Sequence, residues 1–414
     1  MRNLVLSLLF LGCFSNLSVQ ANESHDVFIP SSNQSFSHVF RHNIDSKALK
    51  SERVIDVALP ASYTETGADI KYPVIIVLDG ELLFHSVSGI VQLQAMNSQM
   101  PEAIVVSIPN EPDARRDITP KPLNKKGEPL WFGGQQDKYL SFIKDELFPF
   151  LKAQYRVADF NILIGLSPTA NFALHSFWKQ PDLFSAYIAI NGANFKADGY
   201  GDQDVFQKIL ASVEENKANK RYLYISMTQG GVTRNPHILD TYRKLEKELT
   251  PFGENRVSFK SDIIDKTSYA ATLPAIMSGL EFVFPSDDWD PSYRDFVVAK
   301  PNQTLTNIKN YFDELSAKYG FPALPKGERY YNRNRLKRIA YVFIQERRYD
   351  EAEAIITYWQ SFYPKSANAQ DTMADLYAAK GELAKATAYR EKAVEFAKAN
   401  ADKREGIFEE ALQR

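Results

Sequence analysis

NILIGLSPTANF, residues 161–172, decides how this chain is read. Its first half is an apolar run that suits a buried strand, and Gly165 and Pro168 bracket a sharp turn. A helix is predicted to begin near Thr169, which leaves one serine, Ser167, at the tip of the turn. The question is whether Ser167 is a nucleophile or the relic of one.

Outward from this stretch the pattern repeats. SERVIDVALP (51–60) is a β-branched run closed by Pro60, and YPVIIVLDG (72–80) is a continuous apolar run ending in a turn. EAIVVSIPN (102–110), SAYIAINGA (185–193) and RYLYISMT (221–228) read as further strands, and YLSFIKDELFPFLKAQY (139–155) carries apolar residues at helical spacing. Strands that are apolar throughout and alternate with helices imply a mostly parallel sheet covered on both faces. The expected class is α/β, with this domain spanning 51–285 after a polar, Asn/Ser-rich lead-in over 22–50.

The 414 residues suffice for two or three domains, and 44% hydrophobic with 24% charged residues is an ordinary globular balance. A net charge of -2 provides no basic face for nucleic acid. Residues 1–21, MRNLVLSLLFLGCFSNLSVQA, read as a secretory signal: one early cation, an apolar run over 4–11, and small residues at Val19 and Ala21. An uncleaved anchor is the alternative. Phe10-Leu11-Gly12-Cys13 resembles a lipoprotein signal with phenylalanine in the usual leucine position. Cleavage after Ala21 makes the chain an exported protein, periplasmic or secreted, with no integral span; it also removes Cys13, the only cysteine, and with it disulfides and thiolate metal sites.

Beyond a linker and helix at 286–335 the chain turns helical, and a 34-residue period emerges over 336–400. Ala340 matches Ala374, Phe343 matches Tyr377, Tyr349 matches Leu383, Ala352 matches Ala386 and Trp359 matches Ala393, while Arg347 stands opposite Gly381. That is the tetratricopeptide period, in which small residues let antiparallel helices approach. Two such repeats, followed by a tail at 401–414, are too few to stand alone and are expected to lean on the α/β domain or the helix near 305–319. A plain helical cap and a surface for a peptide or protein partner both fit them.

The order of SERVIDVALPASY, YPVIIVLDG, MPEAIVVSIPN with Arg116-Asp117-Ile118-Thr119-Pro120, Gly133-Gly134, FIKDELFPFLKAQYRV, the serine turn and GLEFVF (279–284) resembles the putative-esterase family. This is the family of enterochelin and other siderophore esterases, S-formylglutathione hydrolase, feruloyl esterases and mycolyltransferases. The resemblance covers about 51–284 and implies an α/β-hydrolase fold with a Ser-His-acid site for esters or thioesters, without a cofactor.

Against that pattern the residues are incomplete. The elbow motif G-x-S-x-G is here Gly165-Leu166-Ser167-Pro168-Thr169. The backbone N–H after the nucleophile is ordinarily an oxyanion donor, and Pro168 has none. Losing one such donor costs on the order of 3 kcal/mol in the transition state. The second donor is expected from the loop around Gly80 and Glu81. In DKTSYAATLPAIMSGLEFVF (265–284) the resemblance puts the histidine position on Thr267 or Ser268, and the acid position after RYLYISMT is occupied by Gln229-Gly230-Gly231-Val232-Thr233-Arg234. Six histidines exist in all: His25, His38 and His42 precede the core, and His175 lies two helical turns past Ser167. His237, three residues before Asp240, is the replacement base the sequence offers, with His85 second. Trp131, Phe132 and Trp178 are candidates to line an acyl or aryl pocket for a small ester-like ligand. No HExxH spacing or phosphate loop appears, so no metal is expected. The chain reads as an esterase-family protein with a degraded site; the alternative is a catalytically inactive pseudoesterase acting through its cleft and helical repeats.

Overall fold

Tyr72–Leu78, Ile104–Ile108, Ala186–Ile190 and Arg221–Thr228 are buried at every position, which a strand tolerates only when both faces of its sheet are covered. The computed structural model of the protein describes residues 39–110, 118–119, 121, 123–124, 126–131, 133–192, 204–217, 219–266, 268–301, 303–325 and 335–413. Residues 1–21, read from the sequence as a secretory signal, together with His25, His38, Arg116, Asp117, Phe132 and Thr267, lie outside the described residues, Cys13 among them.

Eight strands form one sheet: β1 (Val39–Ser46), β2 (Ser51–Ala58), β3 (Tyr72–Leu78), β4 (Ile104–Ile108), β5 (Val157–Leu166), β6 (Ala186–Ile190), β7 (Arg221–Thr228) and β8 (Val257–Ile264). Their order is β1-β2-β4-β3-β5-β6-β7-β8. β1 and β2 pair antiparallel, as do β2 and β4, and all other pairs are parallel. The mostly parallel α/β sheet expected from the sequence is the one found. Two of its strands were not singled out in the sequence: β1 occupies part of the polar lead-in, and β8 is only half-buried.

On one face α1 (Gly80–Met96) and, later in the chain, a helix over Thr272–Val283 pack against the sheet. The other face is covered by α2 (Gln136–Ser141), which passes through a π-helical segment (Phe142–Leu147) into α3 (Phe148–Gln154), then by α4 (Pro168–Lys179), α5 (Val205–Glu215) and α7 (His237–Leu249). A short α6 (Gln229–Arg234) links β7 to α7, and the Thr272–Val283 helix is α8.

Behind α8 come α9 (Gln303–Tyr319) and two antiparallel helix pairs, α10 (Arg335–Gln345) with α11 (Tyr349–Phe362) and α12 (Ala367–Ala379) with α13 (Leu383–Ala399), then α14 (Glu405–Leu412). Four of the five pairs 34 apart are buried on both sides, Ala340 with Ala374, Phe343 with Tyr377, Ala352 with Ala386 and Trp359 with Ala393, whereas at the fifth Tyr349 is half-buried and Leu383 is exposed. Both inter-helix turns end in the left-handed region, at Arg347 (φ 58°) and Gly381 (φ 82°). In each, the next N–H bonds back to the helix: Arg348 to the Phe343 carbonyl at 2.8 Å, Glu382 to that of Tyr377 at 2.9 Å. The helices from α9 to the start of α13 share one continuous apolar core with α1 and α8, through Phe284, Trp289, Phe312, Phe321, Leu336 and Phe343, while Ala393 and Ala397 of α13 meet Phe408 of α14 in a smaller cluster. The Gly67 N–H also donates to the Phe362 carbonyl at 3.0 Å, joining the loop before β3 to α11. All described residues belong to one compact unit. No helix among them is long and apolar enough to cross a membrane.

Candidate active site

Parallel strands deliver their C-terminal ends to one edge of a sheet, where ligands of open α/β folds bind. β5 ends there at Leu166, and Ser167 caps α4 with φ 60° and ψ -113°. A non-glycine residue at positive φ is strained by roughly 1–3 kcal/mol and persists only where its surroundings enforce it. They do so from three sides. The Ser167 N–H donates to the Ile190 carbonyl at 2.7 Å, tying the turn to the end of β6, and the Ser167 carbonyl accepts from Ala170 N–H at 3.1 Å. A Cβ on Gly165 would collide with the Thr169 and Ala170 backbone, and one on Gly192 with the Ser167 carbonyl. Pro168 occupies the first helical position, where its fixed φ suits a helix start. The same residue deprives the turn of an N–H aimed at a substrate oxygen.

Thr169 has a partner that the sequence did not reveal. Fully buried, it accepts from the Leu166 N–H at 2.6 Å and donates its hydroxyl proton to Asp79 Oδ2 at 2.5 Å. Asp79, also fully buried, caps α1 in the left-handed region (φ 55°) and accepts at Oδ1 from the Asn110 side-chain amide. The Asn110 N–H in turn donates to Glu81 Oε2 at 2.9 Å. A chain of hydrogen bonds therefore runs from the serine turn to the ends of β3 and β4.

Gly80 and Glu81 are not in a loop, as the sequence suggested, but in the first turn of α1, because Asp79 already caps the helix. A Cβ on Gly80 would lie 2.8 Å from Ser107, so the glycine lets α1 start against the end of β4. Beneath this edge Tyr139 packs edge-on against Phe172 at 5.4 Å, and burial pushes its hydroxyl well above the usual phenol range, with Asp79 and Glu81 adding to the effect and Arg53 opposing it.

Among the described residues the Ser167 hydroxyl makes no hydrogen bond, to His237 or His85 or any other group. His237 is the exposed first residue of α7, and its carbonyl accepts the Thr241 hydroxyl at 3.0 Å. His85 is exposed on α1, its ring against Phe84 at 5.4 Å. His42 meets the Tyr155 hydroxyl at 2.5 Å on β1, four strands and about 19 Å from β5. His175 lies ~12 Å along α4 from the serine, buried, with Nε2 2.8 Å from Asp137 Oδ1. Burial holds its imidazole below the ordinary value against the opposing pull of Asp137.

At the family's histidine position, Ser268 begins a short 3-10 turn. Where the acid is expected, α6 begins instead: the Thr228 hydroxyl accepts from the Gly231 N–H at 3.0 Å, and the Asn191 side chain accepts from the Thr228 N–H at 2.9 Å. Of the aromatic candidates, Trp131 is 77% exposed, and Trp178 is half-buried beside His175, well down α4 from Ser167.

Residues 46–235 match the family described as "Putative esterase". Among solved structures the chain is similar to an IroE-like serine hydrolase from Shewanella oneidensis, at 19% identity and a TM-score of 0.60 over 78% of this chain and 99% of that one. It is also similar to an uncharacterised protein from Capnocytophaga ochracea (18%, TM-score 0.55, 86% and 93% covered) and to the BES protein from Bacillus cereus (19%, 0.51, 60% and 97%). At these identities the likeness is one of fold, and the first two coverages exceed what the α/β portion alone supplies. No curated protein matches the chain.

Proposed function

Because the α/β portion, over residues 46–235, belongs to the putative-esterase family, we propose that the chain is an exported esterase-fold protein that has given up ordinary Ser-His-acid turnover and uses its serine edge to hold an ester-like or acyl ligand. One observation carries this reading: Ser167 stands in the nucleophile turn with a proline after it and, among the described residues, no base on its hydroxyl. Without a proton acceptor the hydroxyl is a poor nucleophile at neutral pH, and general base assistance is worth a factor of about 100 to 10,000. Missing an oxyanion donor compounds that deficit by about 100- to 1,000-fold. The helix pairs, with their 34-residue equivalence, support a tetratricopeptide-like arrangement that presents a peptide or protein partner to the same molecule.

A second reading is favoured by the strain at Ser167. A pure scaffold has no need of a serine held at φ 60°. On that reading Ser167 attacks an acyl carbonyl, an unconventional base such as His237 takes its proton, and the start of α1 at Gly80 and Glu81 supplies the remaining N–H donors.

A fluorophosphonate probe on the purified chain separates the two. No labelling of Ser167 and no nitrophenol release from short acyl esters support the first reading. Labelling at Ser167, with release abolished by Ser167→Ala, refutes it and establishes the second.

A further inference from the structure

α1 and α8 lie side by side on one face of the sheet, and both begin at its serine edge. Their inner sides are buried. For the outer sides, α7 shows what a solvated helix looks like in this chain: HILDTYRKLEKEL carries six charged residues in 13. α1 has Glu81 alone in 17, α8 has Glu281 alone in 12, and neither has a lysine or an arginine. What faces outward instead is apolar: Leu82 and Leu93 on α1, Leu273 and Met277 on α8, and Tyr269 in the turn before it, each 39–63% exposed. Apolar residues scattered singly over a surface are ordinary, but two neighbouring stripes almost free of charge mark an interface.

Gly89 is a second, independent observation. It sits midway along α1 on the exposed side, and a Cβ built there meets nothing within 4 Å among the described residues. Glycine inside a helix weakens it relative to alanine, and the packing of this chain gives Gly89 no reason to be small. A bare stretch of backbone with Leu82 two turns before it and Leu93 one turn after it lets another helix come close.

We infer that α1 and α8 form the interface of a two-fold dimer of this chain, with the two α1 helices crossing at Gly89. Area, charge and symmetry select a second copy as the occupant. Two helices side by side present a face about 20 Å wide and ~18–25 Å long, so two copies together cover roughly 1,000 Å², the small end of specific interfaces. Helices that lie on lipid carry lysine and arginine along their polar face, which α1 and α8 lack. A two-fold axis at Gly89 sets the α1 helices antiparallel and keeps the two Glu81 carboxylates about 24 Å apart, so these like charges do not meet. Glu281, at the end of α8, already accepts from the Ser286 hydroxyl at 2.9 Å. The inference does not depend on whether Ser167 turns over an ester.

The test is sedimentation velocity of the full chain across a range of concentrations. An interface of this size gives a monomer–dimer equilibrium with its midpoint at about 10–100 µM, unchanged by added salt because no ion pair carries it. Leu93→Lys and Leu273→Lys, at exposed positions, each weaken association by about tenfold or more and leave the melting temperature of dilute protein unchanged. Gly89→Ala separates the two readouts: it raises that melting temperature and weakens association several-fold. Leu383→Lys, on α13 and 69% exposed, leaves association as it was. Three results overturn the proposal: a monomer at every concentration, a dimer that survives both Leu93→Lys and Leu273→Lys, or a monomer that sediments with phosphatidylcholine vesicles, which would give the face to lipid.

Discussion

Replacing Thr169 by valine removes one oxygen from the centre of the serine turn and keeps its shape. The hydroxyl accepts from the Leu166 N–H at 2.6 Å and donates its proton to the Asp79 carboxylate at 2.5 Å, with the Leu166 carbonyl at 3.0 Å as the competing acceptor, in surroundings with no exposure to water. Loss of a hydrogen bond to a charged acceptor costs about 1.5–3 kcal/mol, and a buried N–H left bare about 1–3 kcal/mol more. The sum, about 2.5–6 kcal/mol, is a large share of the ~5–15 kcal/mol that holds a typical domain folded. Thr169→Ser is the control: it keeps both bonds, deletes one methyl and costs about 1 kcal/mol. Urea unfolding followed by circular dichroism should place the valine variant's midpoint well below the serine variant's, with similar slopes. Coincident midpoints would show that Thr169 fills space and nothing more, and the proposed tie between the serine turn and α1 would be wrong.

Three further outcomes follow from the geometry. Gly165→Ala drives a Cβ into the Thr169 backbone, so it should yield insoluble chain or one melting many degrees below the parent, by differential scanning fluorimetry. Arg347→Gly relieves a left-handed arginine at φ 58° and should stabilise by about 0.5–1 kcal/mol, while Gly381→Ala at the equivalent turn costs about 1 kcal/mol. The His175 imidazole, held below its ordinary value chiefly by burial, contributes stability that is full above pH ~6.5 and drains as pH falls through its lower folded value. Melting temperatures at pH 7.5 and 5.5 should therefore differ more for the parent than for His175→Gln.

What the sequence disclosed depended on which forces were local. Runs such as YPVIIVL and RYLYISMT announce themselves because burial on both faces removes every polar residue. VSFKSDII hides because β8 sits at the sheet edge and only Val257 is buried. VFRHNIDS hides for the same reason, its polar side chains facing water from the other edge. The helix pairs were legible through their spacing, down to the equivalence of Arg347 and Gly381. The Thr169–Asp79 bond was not, since it joins residues 90 apart that meet only because β3 and β5 are neighbours. Read along the chain, Thr169 is a missing glycine; in space it is a ligand for a buried carboxylate.

The shared core of α1, α8 and the helix pairs also bears on how the molecule comes into being. The apolar face of the sheet layer is complete by Phe284, but the helices that cover it lie in the last 130 residues. At ~5–20 residues per second those residues take roughly 6 to 26 s to synthesise, far longer than the microseconds that collapse needs. Throughout that interval Phe284 has Phe160 against it but not Tyr319 or Phe321, so the nascent chain carries a sticky face for which a holding chaperone would compete. Shortening the chain at 285 would make that interval permanent.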